Sequence, residues 1–217
     1  IWEGGLAIYG GVIAGLLTGV VWCRKKKIPF ISWTDGTLNS EKNIGKVQRL
    51  SRSYIIKRAA AFIASSTASR EAQIAYGADE KKCFISYLTV DIQKYLYEKP
   101  QKTTQNEGLQ LLYVGSLIQR KGLDLLLPAL AKTPQNIRLW IVGEGQEKDL
   151  LQKQCTELKI SDRVEFLGYQ EGEPLQKLYR TADAFVLPTR EDCFGLVLLE
   201  AMCASLPIIS SKYADGA

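Results

Sequence analysis

Short apolar runs recur along the second half of the chain, each closed by glycine or a polar cluster. Leu109–Val114, Ile137–Val142, Val164–Leu167, Ala184–Leu187 and Leu206–Ser210 read as buried strands. Between them, Leu123–Lys132, Glu147–Leu158, Pro174–Thr181 and Leu198–Ala204 read as helices. Strands alternating with helices predict a parallel, doubly wound α/β sheet with right-handed crossovers. In such a sheet ligands bind at the carboxyl ends of the strands.

The first half is less regular. Residues 28–36 read as a short strand entering an Asp35-Gly36 turn. Residues 44–61 place Ile44, Val47, Leu50, Tyr54, Ile55 and Arg58 at helical spacing in a basic, amphipathic stretch. Ala60–Ala64 reads as a strand, Ser69 as the cap of a helix stopped by Gly77, and Phe84–Leu88 as another strand. Lys94–Gly108 is polar and reads as a linker, the best domain boundary in the chain.

Residues 4–23 carry no charge, and Arg24-Lys25-Lys26-Lys27 follow at once. About 20 such residues match a membrane span, and the flanking cations would lie on the cytoplasmic side. Trp2 and Trp22 fall near the two expected interfaces, and Gly11 with Gly15 makes a small-residue face. The competing reading is a glycine-rich buried helix. The stretch Ile1 to Gly11, continuing to Phe30, also resembles one transmembrane helix of the bacterial prolipoprotein diacylglyceryl transferases. One helix of that multi-span family cannot carry its chemistry, so the resemblance implies a fusion junction, natural or artefactual.

Composition narrows the chemistry. The chain of 217 residues has no histidine. That excludes, within this chain, a Ser-His-Asp triad, a Cys-His pair and a histidine-ligated metal. Five cysteines stand far apart without a C-x-x-C pair, which fits reduced cytosolic thiols and neither a zinc site nor a disulfide framework. A net charge of +5 with scattered cations gives no nucleic-acid footprint.

The remaining chemistry gathers on one strand edge. Gly115–Lys121, Gly143–Gly145, Gly168 and Arg190–Gly195 all follow strands. In Thr189–Met202, Asp192 and Glu200 stand eight positions apart with Gly195 between them. Eight residues of helix span about 12 Å, near the length of a diphosphate with its flanking sugars. A helix start favours an anion there. Cations and backbone N–H groups suit the diphosphate, and carboxylates suit sugar hydroxyls. Each piece also has a plain structural reading. Arg120-Lys121 reads as a solvated loop pair, and Glu200 as a solvent-facing helix residue. Gly143-x-Gly145 lacks the third glycine of a dinucleotide fingerprint, and no Walker A motif is present.

In order, Tyr113–Asp124, Ile141–Gly145, Val164–Gly168, Ala182–Pro188 and Asp192–Met202 resemble the motifs of the retaining glycosyltransferases of family 4. Ile28–Gly36, Ala61–Ser66 and Thr89–Asp91 resemble the later part of that family's acceptor domain. The resemblance implies a GT-B fold of two Rossmann-like domains. The expected divisions are a membrane-span-like segment at 1–27, a partial acceptor-side domain at 28–100 and a truncated donor-binding domain at 108–217. It also implies transfer of a sugar from a nucleotide-diphosphate sugar to a glycan or lipid-linked acceptor, without metal or other cofactor.

By that resemblance Lys121 matches the diphosphate-binding lysine, and Asp192 the acid beside the donor sugar, where the family usually has Glu. The backbone of Cys193, Phe194, Gly195, Leu196 and Val197 faces sugar and phosphate. Glu200 matches the acid on the ribose hydroxyls. Gly143, Glu144 and Gly145, with Gly168 and Tyr169, flank the nucleoside. Ser116 stands where the family has an arginine, a gap that Arg120 is placed to fill. The family's first glycine-rich loop and closing helix have no counterpart here, so the expected activity of this stretch alone is incomplete. The alternative is a membrane-anchored nucleotide-sugar-binding fragment. The expected location is the cytoplasm, at the membrane face if residues 4–23 anchor it.

Overall fold

The computed structural model describes residues 6–9, 13–42, 44–96 and 108–214. The chain divides into two compact units, Ile1–Leu88 and Thr89–Ala217.

The first unit holds four parallel strands: β1 (Leu6–Tyr9), β2 (Phe30–Thr34), β3 (Ala61–Ala64) and β4 (Cys83–Ile85), hydrogen-bonded in that order. Helices α1 (Ile13–Lys26), α2 (Lys46–Ile56) and α3 (Thr67–Ala75) connect them. The expected span is therefore replaced by a strand and a 14-residue helix. Among the described residues no helix is long and apolar enough to cross a membrane. A helix of that length covers only about 21 Å. The uncharged segment contains six glycines, which weaken a continuous helix. Its apolar side chains instead build a core: Val20 and Cys23 of α1 pack with Phe30 of β2 and Ile55 of α2.

Two local expectations shift. α2 buries Ile55 and Ile56, but Val47 and Leu50 stand 75% and 71% exposed. Periodicity marks an apolar stripe, whereas burial needs a partner along its whole length. Within this unit α2 meets one at its C-terminal turn, where Tyr54 and Ile55 join the α1–β2 cluster. The cap of α3 is Ser66, whose side chain accepts from the Ser69 N–H. The Ser69 hydroxyl instead donates to the Asp35 carbonyl at 2.9 Å.

In the second unit a short helix α4 (Ile92–Tyr95) precedes a five-stranded sheet. The strands are β5 (Gln110–Val114), β6 (Arg138–Val142), β7 (Val164–Gly168), β8 (Ala184–Leu187) and β9 (Ile208–Ser210). They are parallel and lie in the order β7-β6-β5-β8-β9. Helices α5 (Leu123–Ala131), α6 (Lys148–Glu157), α7 (Gly172–Thr181) and α8 (Leu196–Cys203) make the crossovers. Leu112, Leu139, Ile141, Phe185 and Leu187 of the strands form one core with Leu127, Leu151, Tyr179 and Leu198 of the helices. Most of the expected linker, residues 97–107, lies outside the described residues.

Polar groups inside this core are matched. Pro128 sits within α5 and has no N–H to give the Asp124 carbonyl four positions back. The Gln154 side chain of α6 donates to that carbonyl at 3.1 Å. Arg163, 3% exposed, donates to the Thr133 hydroxyl at 2.7 Å and to the carbonyls of Pro134 at 3.0 Å and Ile137 at 2.9 Å. Its cation thus lies just past the C-terminus of α5, where the helix dipole favours positive charge.

Candidate functional site

The strand order reverses between β5 and β8, and the loops that follow these two strands frame the crevice in which an open parallel sheet binds ligands. The two loops are tied together. The Arg190 N–H donates to the Arg120 carbonyl at 2.7 Å, and the Arg120 guanidinium donates to the Glu191 carbonyl at 3.1 Å. Arg190 also grips both carboxylate oxygens of Asp124, each at 2.7 Å. These hydrogen bonds hold the Asp124 carboxyl below its usual range. Gly122, with φ 73°, lets the first loop touch the second: a Cβ there would meet the Pro188 carbonyl oxygen at 2.1 Å.

This lacing brings Lys121 against Asp192. The ammonium and the carboxylate form an ion pair, with side chains only 12% and 13% exposed. The Asp192 N–H donates to the Tyr213 carbonyl at 3.0 Å, which fixes the loop beyond the pair. Tyr113 lies beneath. Burial first, and then the Asp192 charge, push its phenol well above the usual range. Its hydroxyl, kept protonated, donates to the Ser116 carbonyl at 3.1 Å. The Ser116 and Arg120 side chains are exposed on the same loop.

The turn after β6 is pressed against this loop through backbone alone. A Cβ on Gly143, at φ 130°, would lie 2.0 Å from the Gly115 carbonyl oxygen, and one on Gly145 2.3 Å from that of Leu117. The carbonyl of Glu144 accepts from the Leu117 N–H at 2.9 Å, while its carboxylate pairs with Lys148 at 3.0 Å.

α8 starts at Gly195, with φ 77° and no side-chain cap. The N–H groups of Leu196 and Val197 are among those a helix leaves without an internal partner. Phe194 is buried and Cys193 half-buried ahead of them. One turn into the helix, Glu200 accepts a 2.7 Å hydrogen bond from the Tyr179 hydroxyl. The Tyr95 ring packs edge-on against that of Tyr179, with centroids 5.5 Å apart.

Sequence reasoning did not single out Arg190, Asp124, Tyr113, Tyr95 or Tyr179. Arg190 and Asp124 are 66 positions apart, and only the β5–β8 pairing makes them neighbours. Tyr113 and Tyr179 sit at apolar positions of the pattern, where nothing distinguishes a ring that only packs from one whose hydroxyl serves a carboxylate, and Tyr95 falls in the polar stretch that reads as a linker. Among the described residues no group of three His, Cys, Asp or Glu side chains is placed to hold a metal ion.

Residues 97–217, which contain this whole edge, match the family model of the glycosyl transferases group 1. The chain belongs to that family. The model of prolipoprotein diacylglyceryl transferase matches residues 1–49. Among curated relatives of this group 1 chain, an uncharacterised glycosyltransferase of Methanocaldococcus jannaschii is 38% identical over 110 residues, 50% of this chain and 28% of the relative. The lipopolysaccharide core biosynthesis glycosyltransferase LpsE of Rhizobium meliloti is 32% identical over 115 residues, 53% of this chain and 33% of its own length. The chain thus matches a third or less of these two relatives. Among solved structures, HepE of Anabaena in complex with UDP and glucose has a TM-score of 0.83 at 23% identity, covering 96% of this chain and 60% of that one. The apo lipopolysaccharide outer core galactosyltransferase WaaB has a TM-score of 0.72 at 25% identity, covering 96% and 57%. The fold is the α/β GT-B type that the sequence resemblance implies.

Proposed function

We propose that the full-length protein is a glycosyltransferase that moves a sugar from a nucleotide-diphosphate sugar to an acceptor with retention at the anomeric carbon. The observation that carries this reading is the half-buried Lys121–Asp192 pair at the strand-order reversal, within the matched family region that also holds the uncapped start of α8. In this reading Lys121 and the N–H groups of Leu196 and Val197 neutralise the leaving diphosphate. Asp192 takes the hydroxyls of the donor sugar, and Glu200 those of the ribose. The backbone of Cys193–Val197 follows sugar and phosphate, with Arg120 at the rim. Gly143–Gly145 and Gly168-Tyr169 flank the nucleoside. These groups carry the charge of the reaction, so the proposal gives no role to a metal ion or other cofactor. The acceptor class is a glycan or lipid-linked saccharide, in keeping with the lipopolysaccharide enzymes among the relatives.

The test is Glu200→Ala in the full-length protein. Loss of a charged acceptor to two hydroxyls weakens nucleotide-sugar binding by about tenfold or more. Unchanged affinity by calorimetry means that Glu200 does not hold the donor.

A second reading concerns the membrane face. α1 exposes Trp22, at 51%, beside Val21, and ends in Arg24, Lys25 and Lys26. An aromatic and apolar surface next to cations suits the interface of an anionic bilayer. The full-length protein is expected to float with phosphatidylglycerol vesicles and not with phosphatidylcholine vesicles, and Trp22→Ser with Lys25→Glu to abolish flotation. Equal behaviour of variant and parent removes α1 from this role.

A further inference from the structure

Glu200 does not stand alone on α8. Its Oε2 accepts from the hydroxyl of Tyr179, which is fully buried on α7. The Tyr179 ring stacks on Phe185 of β8 at 5.7 Å, and the Tyr95 ring meets it edge-on at 5.5 Å. Two neighbours from separate elements therefore fix where the Tyr179 hydroxyl points. Burial first, and then the Glu200 charge, push both phenols well above their usual range, so both hydroxyls stay protonated throughout the neutral range.

A carboxylate on an exposed helix face samples several rotamers, and holding it for a ligand costs side-chain entropy. Here the Tyr179 phenol, of low conformational freedom, has already taken much of that freedom away. A carboxylate offers about four lone-pair sites, and one hydroxyl donor leaves about three of them for a ligand. A merely structural tyrosine would need no anion. Its hydroxyl could bond to a backbone carbonyl, as that of Tyr113 does.

We infer that Tyr179, supported by Tyr95, is a positioning residue that pre-orients the Glu200 carboxylate toward the vicinal ribose hydroxyls of the nucleotide. This rests on the donor-site reading above. It adds that affinity for the ribose depends on a phenol that touches no ligand atom. It also makes α4, the segment that follows directly on the unit boundary at Leu88, part of the donor site's support.

The experiment is titration calorimetry of full-length protein with three probes: UDP, its 2′,3′-dideoxy analogue and inorganic pyrophosphate. Tyr179→Phe is expected to weaken UDP by about tenfold, the size of one hydrogen bond to a charged group. The other two probes are expected to bind within about twofold of the parent, because neither presents vicinal ribose hydroxyls. Glu200→Gln should give the same selective loss, and the double variant little more than the larger single one. If Tyr179→Phe binds UDP as the parent does while Glu200→Gln does not, the positioning role is wrong and the donor site stands. If Glu200→Gln leaves UDP binding unchanged, the donor-site reading itself fails. Equal loss for all three probes makes Tyr179 a packing residue and overturns the inference. Should Tyr179→Phe not fold, Tyr95→Leu, which removes the ring that holds Tyr179 in place, carries the same test, with a selective loss of UDP expected and an equal loss for all probes overturning it.

Discussion

Replacing Lys121 with methionine lowers kcat/KM for donor turnover by about 10²- to 10³-fold, the effect of removing one pre-organised charge from a developing anion. Methionine keeps much of the side-chain length and removes the ammonium. Two losses add. The leaving diphosphate loses its cation, and Asp192, 13% exposed, loses the partner that compensates its charge. The control is Arg120→Met on the same loop. Arg120 is exposed and bonds a carbonyl, so its removal is expected to cost less than about tenfold. Initial rates for both variants against donor concentration decide the matter. A Lys121→Met enzyme within threefold of the parent removes Lys121 from the site.

The second large effect is on stability. Arg163→Leu is expected to destabilise the protein by about 3 kcal/mol or more, because several charge-assisted hydrogen bonds of a side chain only 3% exposed are lost together. The guanidinium ties the carbonyls of Pro134 and Ile137 to the Thr133 hydroxyl, and its loss also removes the cation from the end of α5. For a chain of this size the melting temperature should fall by about 6–12 °C. Arg163→Lys keeps the charge and loses the fork, so it should fall between the two. Donor affinity at low temperature should stay at the parent level, since Arg163 lies at the opposite end of β6 and β7 from the glycine turns. A melting temperature unchanged in Arg163→Leu refutes the assignment.

The parallel sheet of the second unit is legible from sequence because its central strands are largely buried on both faces and so appear as unbroken apolar runs. The edge residues are legible too, since loops after strands can be counted from the runs. Other features follow rules that a linear pattern does not carry. The uncharged stretch before Arg24 has the composition of a span, yet β1 and α1 divide it, and the feature that breaks the pattern is glycine content, not polarity. Val47 and Leu50 have helical spacing, but whether a stripe is covered depends on elements distant in sequence. The grip of Arg190 on Asp124 and the hold of Tyr179 on Glu200 are products of strand order, and neither spacing nor residue type announces them.

The glycine contacts along the ligand edge have a wider consequence. Gly122, Gly143 and Gly145 each close on a carbonyl oxygen of a neighbouring turn, at Pro188, Gly115 and Leu117. Every amino acid supplies a carbonyl, so the spacing of the edge is written in main-chain atoms that substitution does not touch. Given those three glycines, side chains on the rim such as Ser116, Glu144 and Tyr169 are free to drift without disturbing the platform beneath them. A frame of this kind is inherited as geometry while its surface is rewritten, which suits a chain that superposes on HepE at a TM-score of 0.83 with only 23% of residues in common.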